Sequence, residues 1–140
     1  MATPEIARER RAELYAQMGA LAAALAEPID GRGQRAVVGP PLDRLRAAFE
    51  DHVTVTAGPG GLFEQIASDT PRLVNELAAL HREHGELRSA IAGCDAGLRA
   101  ALPADRLRRS LEDLLVRLAR HRRRGADLLF EAYQVDVGGE

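Results

Sequence analysis

Residues 73–91 read LVNELAALHREHGELRSAI. Leu73, Leu77, Leu80, His84, Leu87 and Ile91 recur at alternating steps of four and three, a spacing that holds them on one face of an α-helix. One member of that otherwise aliphatic seam is an imidazole. Two further stretches repeat the arrangement: Leu42, Leu45 and Phe49 lead to His52 and then Thr56, and Leu107, Leu111, Leu114 and Leu118 lead to His121. Seams of this kind bury against one another. Three of the four histidines are therefore expected in one shared interior, which is how helical bundles assemble metal sites.

Outward from this stretch, the punctuation sets the other elements. Thr3-Pro4-Glu5 caps and opens a first helix, which Ala7, Leu14, Met18, Leu21 and Leu25 carry to about Glu27. Residues 28–40 hold prolines and glycines without a period and read as an exposed linker. A second helix is expected from Pro41 to Thr56. Gly58-Pro59-Gly60-Gly61 reads as a turn, since no Lys-Ser/Thr follows to make it a phosphate loop. A short helix over Leu62–Ala67 follows, then a long one to about Ala92 that Gly93 can stop. The last helix runs from Leu102-Pro103-Ala104-Asp105 to about Tyr133. The expected fold is an all-α four-helix bundle of up-down type, with a short extra helix in the central connection, in a single domain over residues 1–140.

Composition narrows the function classes. The net charge is −2, and all 19 basic residues other than histidine are arginines, so no global field draws nucleic acid or an anionic membrane. With three phenylalanines, two tyrosines and no tryptophan, base-stacking platforms are not expected. The single cysteine, Cys94, precludes an internal disulfide and suits a reducing cytoplasm. Placed beside the presumed helix stop at Gly93, it reads as a spectator. The charged run Arg120 to Arg124 reads as a solvated face pairing with neighbouring carboxylates.

The segment Leu80-His81-Arg82-Glu83-His84-Gly85-Glu86-Leu87 resembles the histidine helix of the hemerythrin-like, or HHE-type, cation-binding domains. Gly58 to Phe63 with Pro71-Arg72-Leu73 is similar to the connection before that helix. Arg120-His121-Arg122-Arg123 with Asp127 to Tyr133 is similar to the family's last helix. The resemblance spans residues 41–137. It implies a four-helix bundle around a non-haem di-iron centre that binds oxygen or related small molecules. By position it makes His52, His84 and His121 metal ligands, with His81 and Glu83 as further candidates; the seam centres on His84, so His81 is expected to flank it.

The chain departs from that pattern. A typical member carries glutamate four residues after the middle histidine, where this chain has Arg88. The corresponding place after His121 is Gly125, and Asp127 lies about 240° around the helix from the histidine. Without bridging carboxylates, two cations in a low-dielectric interior lack compensating charge. An ordinary di-iron centre is thus expected to be absent. One ion of zinc or ferrous iron on three neutral imidazoles and water is chemically acceptable, as is a lost site. The expected function is non-catalytic metal, oxygen or redox-responsive binding, with an unidentified small-molecule ligand. Glu83 and Glu86 are the evident proton donors near the histidines for any enzymatic use. The alternative is a metal-free interaction module that forms a homodimer through an exposed seam of Leu14, Met18, Leu21 and Leu25 on the first helix.

Overall fold

The computed structural model describes residues 3–27 and 33–138, with side chains described through Tyr133 and outside 33–35. Its elements are α1 (Pro4–Ala26), α2 (Gly33–Ala57), α3 (Leu62–Asp69), a 3₁₀ turn (Pro71–Leu73), α4 (Val74–Arg99) and α5 (Ala104–Gly138). Four long helices pack as an all-α bundle, and the short α3 lies in the central connection. Among the described residues, no helix is long and apolar enough to cross a membrane.

Packing follows the seams. One cluster joins Leu14 to Leu25 of α1, Val38 to Phe49 of α2, Leu87 to Leu98 of α4 and Leu107 to Leu118 of α5. A second joins Ala7, Leu62, Ile66, Leu73, Leu77, Leu80 and Leu128. The beginnings of α1 and α4 and the end of α5 therefore meet at one end, so α1 and α4 run opposite to α5. On α4 and α5, the seam histidine stands between residues of the two clusters.

The N-terminus of α1 is capped as its sequence suggests: Thr3 Oγ1 accepts from the Ile6 amide at 3.1 Å. The seam residues Leu14, Met18, Leu21 and Leu25 are not exposed. All four are buried in the bundle core, so the apolar face assumed for dimerisation is consumed within the chain.

Two boundaries differ from the reading above. Residues 33–40, taken as exposed linker, form the first two turns of α2, although Pro40 and Pro41 lie inside that helix; residues 28–32 fall outside the described residues. The two prolines cannot donate to the carbonyls of Ala36 and Val37, but both residues are exposed, so water can take the donors' place. Val38, fully buried, continues the Leu42–Leu45–Phe49 seam by a turn, and that burial opposes the helix-breaking signal.

The second difference is in α4, which passes Gly93 and continues to Arg99. Its stop is a Schellman motif: the Leu102 amide donates to Gly97 O at 3.1 Å and the Ala101 amide to Leu98 O at 3.2 Å. Ala101 takes the left-handed position, with φ 54°, where a Cβ is strained. Ala101→Gly should relieve more strain than it adds chain entropy, a net gain of about 0.5–1 kcal/mol. A melting temperature raised by about 2–4 °C in a calorimetric scan would show it. Cys94 consequently lies inside the helix, buried against Ser110 O. Burial, with Asp113 nearby, pushes its thiol up to about 11, so it stays protonated.

Candidate metal centre

Each of three helices delivers one imidazole to the same level of the bundle. His52 comes from the last turns of α2, His84 from the first half of α4 and His121 from the middle of α5. The rings are 2–5% exposed. Centroids lie 4.8 Å apart for His84 and His121, and 5.4 Å for His52 with either partner. One nitrogen from each ring falls within 4.8 Å of the other two. His84 sits in the first rather than the second half of its helix, because α4 extends seven residues beyond Ala92.

The hydrogen bonds orient these nitrogens. His121 Nδ1 donates to Glu83 Oε1 at 2.5 Å, and Arg124 donates to the other oxygen of that carboxylate. This assigns the proton on His121 to Nδ1 and leaves Nε2 as a lone pair turned into the layer. There it faces His52 Nε2 at 3.3 Å. Such carboxylate–histidine pairs are the usual support behind a metal-ligating imidazole.

Three ring nitrogens have no partner: His52 Nδ1 and both nitrogens of His84. A buried polar atom left unsatisfied costs about 1–3 kcal/mol, so a layer holding three needs a physical reason. A cation is a reason for one of them: it accepts one lone pair per ring, so it would engage one His84 nitrogen and leave the other, with His52 Nδ1, as N–H groups. Two imidazole nitrogens on a tetrahedral zinc, at about 2.0–2.1 Å each, stand roughly 3.3–3.4 Å apart. The His52–His121 separation meets that spacing, and a His84 nitrogen lies within 4.8 Å of both.

The surroundings keep the rings neutral. Burial, aided by His121 and Arg11, lowers His52 to about 3. Burial, aided by His121, His52, His81 and Arg88, lowers His84 to about 3. Burial also lowers His121, against the opposing pull of Glu83. Neutral imidazole is the ligating form. Apolar walls close the layer: Phe63 stacks on His84 at 5.8 Å and 7°, and Phe49 meets it edge-on at 5.9 Å.

His81 is exposed, with its ring 6.4 Å from that of His84, and flanks the layer. Glu83, carried as a further candidate ligand, has both oxygens engaged by His121 and Arg124 and stands behind the imidazoles. Arg88, which stands where the resemblance would place a glutamate, turns outward: its Nε and Nη2 grip Glu50 at 2.7 and 2.8 Å on the surface. In the arginine run, Arg124 pairs with Glu83, whereas Arg122 lies over the Tyr15 ring at 4.1 Å.

The sequence reading missed Arg11. It occupies a seam position of α1, four residues after Ala7 and three before Leu14, and is half-buried with its Nε sealed from solvent and unpartnered. Its charge helps depress His52, so all four long helices contribute a polar residue near this level. A step of four then three, with a cation where leucine belongs, was the available signal. No protein-family model, curated protein or solved structure matches this chain.

Proposed function

We propose that this chain is a hemerythrin-like bundle reduced to a mononuclear site, in which His52, His84 and His121 hold one divalent transition metal, zinc or ferrous iron. It serves as a metal- or small-molecule-responsive binding protein of the cytoplasm rather than an enzyme. The observation that carries this reading is His84, buried with both ring nitrogens unpartnered beside two other neutral imidazoles.

A metal held there by His52, His84 and His121 would supply Lewis-acid chemistry. The chain's own residues do the rest. Glu83 fixes the His121 tautomer and ring direction, and Arg124 fixes Glu83. Phe49 and Phe63 keep water from the rings. One ion fits this layer better than two: its nearest carboxylate is spent on His121 and Arg124, and Arg11 adds positive charge.

Protein purified from zinc- or iron-supplemented cells should carry about one equivalent of metal by elemental analysis. Less than about a tenth of an equivalent from both preparations would overturn the assignment. Glu83→Gln should retain the fold and weaken metal binding about 10–100-fold in a chelator competition, the usual cost of losing a carboxylate behind a ligating histidine.

A further inference from the structure

Arg11 also faces a groove between α1 and the C-terminal half of α5. At one end, a recess of about 250 Å³ is bounded by Arg8, Arg11 and Arg122. It shares Arg8, Arg11 and Ala126 with a larger hollow of about 520 Å³, whose remaining walls are Pro4, Leu129, Phe130 and Tyr133. Three guanidinium groups therefore mark one end and apolar side chains the other.

Among the described residues, no carboxylate lies within ion-pair distance of Arg8, Arg11 or Arg122. The charges acting on Arg11 are those of Arg8 and Arg122, both repulsive. Tyr15 holds Arg122 by its ring face, which restricts where that guanidinium can go. Phe130 is 53% exposed at the opposite end. Like charges converging at one end of a groove without a protein carboxylate, with an exposed aromatic ring at the other end, are an unfavourable way to leave a surface. The hollow has the size of an ordinary small-ligand site.

We propose that this groove binds an organic anion with an apolar tail, a monocarboxylate of medium chain length, with the carboxylate on Arg8, Arg11 and Arg122 and the tail along Leu129 and Phe130. Guanidinium forks match a carboxylate's two oxygens, and the tail covers the exposed ring. A free phosphate would leave the apolar end uncovered. A nucleic acid would need stacking surfaces that the groove's lone exposed ring does not supply. The site shares Arg11 with the surroundings of His52 but does not rest on the metal reading.

The test is calorimetric titration of octanoate into the full chain, freed of metal with chelator, beside octylammonium, acetate and inorganic phosphate. Octanoate should bind one to one, tighter than acetate or phosphate by at least about tenfold, and octylammonium should give no saturable heat. Arg8→Ala and Phe130→Ser change exposed side chains, and circular dichroism verifies their fold. Each should weaken octanoate by at least about fivefold. No saturable heat up to about 10 mM octanoate, equal binding of octylammonium or phosphate, or unchanged affinity in both variants would each overturn the proposal.

Discussion

In metal-free protein at neutral pH, His84→Leu is expected to raise stability by about 1–3 kcal/mol and to abolish stabilisation by zinc. The first effect follows from the two unpartnered ring nitrogens, each of which forfeits hydrogen bonding to water on folding. Leucine has nearly the same volume and nothing to satisfy. Against this stands the loss of ring contacts with Phe63 and Phe49, worth about 0.5–1.5 kcal/mol, so the balance favours leucine. The second effect follows from counting donors, because two imidazoles hold a divalent ion far more weakly than three. In wild-type protein, zinc at a hundredfold excess over its dissociation constant should add about 2.7 kcal/mol. Urea denaturation of both proteins, with zinc and with chelator, measures the four values. A structural core histidine predicts the opposite pattern: the variant would lose stability, and zinc would leave wild type unmoved.

That pattern is what the sequence could not foretell. Its seams placed three imidazoles on buried faces, because the alternation of three and four residues is set by helix geometry alone. Whether the rings share one level depends on helix register, and two of the lengths were misjudged. α2 begins at Gly33, not Pro41, and α4 ends at Arg99, not Ala92. Both errors came from trusting local breakers. Pro40-Pro41 and Gly93 carry strong local signals, yet each lies in a helix whose buried face continues past it, through Val38 in one case and Cys94 and Leu98 in the other. Tertiary burial outweighed local propensity, as it commonly does. The true stop of α4 hides behind an alanine in the left-handed position, which no glycine announces.

Residues around the rings were harder still to read. Arg88 and Glu83 are five apart on one helix, and from spacing alone either could have faced the metal. The structure separates them by partner. Arg88 finds Glu50 across the α2–α4 surface, and Glu83 finds His121 and Arg124 across the α4–α5 surface. Such pairings cross between helices and leave no periodic trace in a single chain. Arg11 did leave one, as a cation at a seam position, and it was passed over because an apolar line was sought.

The metal-free protein should unfold cooperatively between about pH 4 and 5, well above the acid limit of a bundle without buried histidines. His52 and His84 are both lowered to about 3 in the folded state, first by burial, from an ordinary value of 6.5. Between those values the unfolded chain binds protons that the folded chain refuses, so stability falls as pH falls through that window. The groups facing them reinforce this. His121 and Arg11 act on His52; His121, His52, His81 and Arg88 act on His84; none supplies an anion that would welcome the proton. Glu83 favours protonation of His121, but burial wins there too. Each histidine costs about 1.4 kcal/mol per pH unit below 6.5, so two cost roughly 5 kcal/mol by pH 4.5, the whole stability of many domains. His84→Leu should reduce the slope by roughly a third to a half, because it removes one of the two most strongly lowered histidines while His52 and the less affected His121 remain. Urea titrations at pH 7, 6 and 5 give the slope directly. A flat profile between pH 7 and 5 would mean that water reaches the three rings, and a wet layer removes the burial that keeps them neutral and the strain of the unpartnered nitrogens together.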